Sequence, residues 1–181
     1  MQHKYLFSTL AIAAISVAGV GYSADTPAAG LSIKFTESAP KDRFTVTNTG
    51  TCALGPTELV IDLSQSSGGL YFDTTASGAG VEVFQPFEIT EGAQNILSVQ
   101  PVLDGDEKVS LTLKDLEPTQ SVSFTIDVDD RLENSERGQI QVTGSEISGA
   151  TVNLRQDGAQ LQLTSFDSSS SAQLSLATCL S

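Results

Sequence analysis

Residues Ser121–Asp130 read SVSFTIDVDD, and the order of apolar and polar side chains in that stretch decides the class of fold. Val122, Phe124, Ile126 and Val128 alternate with Ser123, Thr125, Asp127 and Asp129. Successive side chains of a strand point to opposite faces, so this alternation makes one apolar face and one polar face. A helix would need apolar residues three and four apart, and no stretch of the chain holds that spacing for three turns. Acids crowd the end of the strand, where Asp130, Glu133 and Glu136 follow Asp127 and Asp129.

The same alternation recurs on either side. Leu31, Ile33 and Phe35 make a short strand ended by Pro40, and Phe44 and Val46 run into the turn residues Asn48-Thr49-Gly50. Leu59, Ile61 and Leu63 follow Pro56, and Leu70-Tyr71-Phe72 is a brief apolar run. Pro86 interrupts Val81–Ile89 and Pro101 marks Ile96–Leu103. Proline has no N–H to give to a ladder, so these two segments are expected at an edge or at a bend. Val109, Leu111 and Leu113 alternate next, then Ile140 with Val142, Val152 with Leu154, and finally Leu174 with Leu176. Asp157-Gly158 favours a type I′ hairpin turn, which predicts Gln156 opposite Ala159, Leu154 opposite Leu161 and Val152 opposite Leu163. About a dozen short strands, with turn signals every 8 to 15 residues or so, predict an all-β fold. The expected form is an antiparallel two-sheet β-sandwich, jelly-roll or Ig-like. No internal repeat or linker divides it, so residues 24–181 are expected to form one domain.

The start of the chain reads as an export signal over residues 1–23. Lys4 precedes the apolar run Tyr5–Val20, which is too short for the roughly 20 residues of a membrane span, and the small residues Gly21 and Ser23 suit a cleavage site. The expected location is therefore secreted or periplasmic, with no transmembrane segment in the mature chain. Cleavage removes the only histidine, His3, along with Met1, Tyr5 and Tyr22, and leaves Tyr71 as the single tyrosine of a chain without tryptophan. It also takes one of nine bases and none of the 22 acids, so the mature charge is about −14. So acidic a surface repels nucleic acid and suits cations instead.

Cys52 and Cys179 are the only cysteines, and export puts them where disulfides persist. A Cys52–Cys179 bridge is expected; closing so long a loop is worth at most about 5 kcal/mol on chain-entropy grounds. Without histidine, the mature chain lacks Ser–His–Asp and Cys–His nucleophilic systems and histidine-ligated zinc. No phosphate-cradling glycine loop of the required pattern is present. A carboxylate pair can still hydrolyse a glycoside, but one tyrosine and no tryptophan give little of the aromatic platform a sugar site uses.

Calcium is the better-motivated ligand, because hard cations take several carboxylate and carbonyl oxygens from loops. Two acidic groups offer them: Asp127, Asp129 and Asp130 at the end of the strand with Glu133 and Glu136 behind them, and Asp104, Asp106 and Glu107 around a Gly105 turn, neither following the EF-hand pattern. The competing expectation is a solvated acidic rim that keeps a sheet from pairing with its neighbours. Asp127 and Asp129 start roughly 7 Å apart along a strand, so joint ligation requires their side chains to lean together.

The segments KFTESAPKDRFTVTNTG (34–50), YFDTTASGAGVEVFQPFE (71–88), VSFTIDVDDRL (122–132) and QVTGSEISGATV (141–152) resemble those of bacterial exported aggregation factor core-like proteins. That family is described after the core protein of the sponge adhesion proteoglycan. The resemblance implies a non-enzymatic adhesion or assembly module outside the cytoplasm, calcium-dependent, whose partners are further copies of itself or an extracellular polysaccharide. It supplies no functional residue that carries over position by position. The other expectations are a calcium- or ligand-binding β-sandwich that does not self-associate, and a carboxylate-based glycoside hydrolase.

Overall fold

The computed structural model describes residues 29–80, 83–135, 137–176 and 178–179. The expected signal peptide, residues 1–23, lies outside them, as does Glu136. Twelve strands are found among the described residues: β1 (Ala29–Thr36), β2 (Arg43–Asn48), β3 (Thr57–Asp62), β4 (Tyr71–Asp73), β5 (Glu88–Glu91), β6 (Ile96–Val99), β7 (Lys108–Leu113), β8 (Ser121–Thr125), β9 (Asp127–Asp129), β10 (Thr151–Gln156), β11 (Ala159–Ser165) and β12 (Ser171–Leu176). They form two five-stranded antiparallel sheets, ordered β12-β1-β2-β8-β5 and β11-β10-β3-β7-β6, and a separate two-stranded ribbon, β4-β9. The two sheets make a β-sandwich, as the alternation predicts. The segments marked by Pro86 and Pro101 supply β5 and β6, and both are edge strands.

Between the sheets lies one apolar core. Leu31, Ile33 and Phe35 of β1, Phe44 and Val46 of β2, and Val122 and Phe124 of β8 meet Leu59 and Ile61 of β3, Val109, Leu111 and Leu113 of β7, and Val152 and Leu154 of β10. Phe44 stacks on Phe124 with ring centroids 5.2 Å apart, and Phe87 packs on the other side of Phe124 at 4.8 Å. Burying a side chain of this size contributes roughly 1.5–3 kcal/mol, which fixes the register of each strand more firmly than its turns do.

Cys52 and Cys179 are bridged, with Cα atoms 6.0 Å apart. The bridge lies near the Asn48 end of β2, where the Asn48 amide donates to the carbonyls of Cys52 (3.0 Å) and Leu116 (2.6 Å). The other end of the sandwich carries the acids, because β8 is paired through Thr125 to Arg43 at the opposite end of β2.

Three expectations are corrected. First, Ser121–Asp130 is not one strand. β8 runs out of partner where β2 begins, and the chain leaves the sheet at Ile126 and pairs again, as β9, with β4. Asp42 holds the switch: its carbonyl accepts the Ile126 N–H at 3.0 Å and its Oδ2 accepts the Val128 N–H at 3.0 Å. Second, the Asp157-Gly158 turn forms with both residues at positive φ and Gln156 opposite Ala159, but a bulge then shifts the register. Leu154 faces Gln162 and Val152 faces Thr164; Leu161 still packs on the core, whereas Leu163 is 50% exposed. One inserted residue turns the rest of an arm to the other face. Third, Ile140 and Val142 form no strand. Val142 is buried just ahead of a short helix, α1 (Gly144–Ile147), closed by a capping box between Thr143 and Glu146.

Candidate metal centre

The ribbon β4–β9 places three aspartates on one face. Asp73 stands directly opposite Asp127, Phe72 opposite Val128, and Tyr71 opposite Asp129. Phe72 and Val128 point into the core, so the alternation of a strand puts Asp73, Asp127, Asp129 and Tyr71 on the other side. Side chains directly opposite one another start only about 4.5–5.5 Å apart, and like charges there repel. Yet the face is not wet: Asp73, Asp127 and Asp129 are each 0% exposed.

What covers them is the segment that follows β4. Residues 74–80 loop over the ribbon, wrapped around the carboxylate of Asp104, whose Oδ1 accepts the N–H groups of Thr74 (2.9 Å) and Thr75 (3.0 Å) and whose Oδ2 accepts that of Ala79. The Tyr71 hydroxyl donates to the Ala79 carbonyl at 3.3 Å. Gly80 closes the cover. A Cβ there would sit 2.1 Å from Asp73 Oδ2 and 2.6 Å from Asp129 Oδ2, so only glycine lets the backbone approach the two carboxylates. Beyond it, Gln85 bridges the ribbon's edge, donating its N–H to the Asp73 carbonyl and accepting that of Asp127.

Burial sets the electrostatics. Neither oxygen of Asp127 accepts a hydrogen bond. Its pKa is pushed up to about 8, first by desolvation and then by the charges of Asp129, Asp42 and Asp73. Asp42 is also pushed up to about 8, mainly by burial, although its carboxylate accepts N–H groups from Ser38 and Val128. The Tyr71 hydroxyl is raised to about 12 by burial and by Asp129 and Asp73. Against a burial penalty, the N–H groups of Ala79 and Thr74 and a hydrogen bond with Asp73 hold Asp104 below its usual range. Arg131, stacked 4.5 Å over the Tyr71 ring, gives its Nη1 to Glu107 at 2.7 Å and to the Gly69 carbonyl at 3.0 Å.

The five acids named from the sequence therefore separate. Asp127 and Asp129 share the ribbon face, and Asp104 reaches the same neighbourhood through Asp73, joining two groups that the sequence keeps apart. Asp130 is equally buried, and its Oδ1 accepts the Leu132 N–H at 2.7 Å; burial and then the charge of Glu146 push its pKa up. Asp106 is half-buried and serves its turn, with Oδ2 accepting the Leu103 N–H at 2.8 Å and its carbonyl accepting that of Phe72. For Asp127, Asp129 and Asp130 the solvated rim is excluded by their burial; Glu133 behind them is exposed. Asp73 and Asp42 are the members that sequence reasoning missed. The one available signal for Asp73 was its place at the end of Leu70-Tyr71-Phe72, ahead of a loop rich in small residues.

Among the described residues, no three His, Cys, Asp or Glu side chains gather closely enough around one point to hold a metal ion as they stand. An ion on this face would draw on carboxylate oxygens of Asp73, Asp127 and Asp129 and complete its shell from backbone or water oxygens. That donor set, all oxygen and all hard, fits calcium. Comparison of the chain with family models, with curated proteins and with solved structures returns no match.

Proposed function

We propose that this chain is an exported, non-enzymatic β-sandwich module whose acidic end is held together by calcium, and that it serves in adhesion or assembly outside the cytoplasm. The calcium part rests on one observation above all: Asp127, fully buried, stands across a strand pair from a second aspartate and receives no hydrogen bond on either oxygen. A buried carboxylate so placed must be protonated or matched by a cation. The adhesive part rests on the resemblance of segments 34–50, 71–88, 122–132 and 141–152 to the aggregation factor core-like proteins. The bridge between Cys52 and Cys179 suits an oxidising location, and no helix among the described residues is long and apolar enough to cross a membrane.

A second reading is favoured by the burial itself. An ion enclosed between Asp73, Asp127 and the loop over them stabilises one copy and does not bridge two, which describes a calcium-binding domain without self-association. Size-exclusion chromatography in calcium and then in chelator separates the two. An assembly module elutes earlier in calcium, with a shift that grows with protein concentration. A single monomeric peak in both buffers removes adhesion by self-association and leaves the domain with its structural ion.

A further inference from the structure

We propose that a second copy of this chain docks by strand pairing along one flank of the sandwich, the adjacent edges of β11 and β12; the inference rests on the assembly reading above and names its surface. β12 closes one five-stranded sheet and β11 the other, and the two strands lie side by side. An edge strand turns the N–H and C=O of alternate residues away from its own sheet, where another strand can pair with them. Just ahead of β12, the Ser170 carbonyl accepts the Phe35 N–H at 2.9 Å, so alternation turns the backbone groups of Gln173 and Ser175 outward. Just past β11, Phe166 gives its N–H to the Ala150 carbonyl at 2.8 Å, which turns those of Leu163 and Ser165 outward.

The two flanks are built differently. At the opposite edges, the ladders of β5 and β6 are each broken by a bulge, Pro86 and Pro101 stand beside them, and β5 carries Glu88 and Glu91. Bulges, prolines and charges are what blunt an edge against pairing. β11 and β12 contain no proline and no charged side chain. β12 pairs with β1 without a register shift, and β11 is regular from Gln162 to Ser165. From Gly158 to Ser181 the only charged side chain is Asp167, whose Oδ1 accepts the N–H groups of Ser169 (2.8 Å) and Ser171 (3.2 Å). Lys34 of β1 is drawn to the same serine loop, with Nζ 2.6 Å from the Ser169 carbonyl. Leu163, half exposed, adds an apolar side chain to this flank. Charge selects the occupant. Two copies that each carry a formal charge of −13 repel over most of their surface, and a neutral flank is where they can meet. A basic partner would be drawn to the acids instead. A two-fold axis sets such an edge antiparallel against its own counterpart, and two-fold dimers are the commonest closed assembly.

Analytical ultracentrifugation in calcium, over a wide range of protein concentration, tests the flank. The wild type should pass from monomer to dimer as concentration rises. Leu163→Lys and Gln173→Lys, both at exposed side chains, put like charges across the two-fold and should each weaken the dimer by roughly tenfold. Leu97→Lys, at an exposed position of β6, adds the same charge to the other flank and should dimerise as the wild type does. In the dimer, amide exchange at Leu163, Gln173 and Ser175 should slow. Association that neither Leu163→Lys nor Gln173→Lys weakens overturns this flank and leaves the assembly reading standing. So does association that Leu97→Lys alone weakens. A wild type that stays monomeric at every concentration overturns the flank and self-association together, and leaves these edges to a strand of another protein.

Discussion

In chelator, the protein will be most stable near pH 4 and will lose stability steadily as the pH rises to about 8. Asp42 and Asp127 hold their protons to about pH 8 in the folded chain, against 3.8 for an ordinary aspartate. Between those two values the folded state binds more protons than the unfolded state, so raising the pH favours unfolding. Each group's contribution is present in full below the unfolded pKa and is lost as the pH passes the folded one. Asp130, also raised by burial, acts in the same sense. Asp62, Asp104 and Asp167 are lowered, and their contribution fades only as the pH falls below about 4. Urea unfolding at constant ionic strength, from about pH 4 to about pH 8, reads this directly. A midpoint that holds steady or climbs over that range contradicts protons held by Asp42 and Asp127 in the folded chain.

Removing one charge should remove much of that slope. Asp127→Asn in chelator at about pH 8 is expected to be more stable than wild type by roughly 3 kcal/mol, the scale of an uncompensated buried charge. For a domain of this length that is about 10 °C in melting temperature. Near pH 4, where wild-type Asp127 already carries its proton, the two proteins should melt together. If asparagine instead destabilises the protein equally at both pH values, Asp127 has a packing role and its charge does not matter.

How much of this was legible in the sequence depends on how many faces of a strand are buried. β1 was legible because Leu31, Ile33 and Phe35 are buried and the polar residues between them are not, apart from a half-buried Ser32. β9 was misread for the complementary reason. Asp127 and Asp129 continue the polar phase of Ser123 and Thr125, and polarity implies solvent, yet β9 is buried on both faces. What buries it is distant in sequence: the three residues of β4 and the loop gathered around Asp104. Neither leaves a periodic signature, because a three-residue strand is too short to show one. The break at Ile126 was hidden for a similar cause, since apolar alternation runs straight through a change of partner and only Asp42, more than eighty residues upstream, marks it. The hairpin turn was legible in Asp157-Gly158 and the bulge after it was not, because local turn chemistry sets the first pair and packing of Leu161 on the core sets the rest.

Thermal unfolding of the wild type at about pH 7.5, in calcium and in chelator at the same ionic strength, tests the cation most directly. A site that binds only the folded chain raises its stability by about 2.7 kcal/mol at a hundredfold excess of calcium over the dissociation constant. The melting temperature should then rise by about 5–10 °C, and magnesium, which needs a tighter octahedral shell, should do less. Equal melting temperatures in calcium and in chelator would show that the buried aspartates are balanced by protons alone and that this end of the sandwich holds no ion.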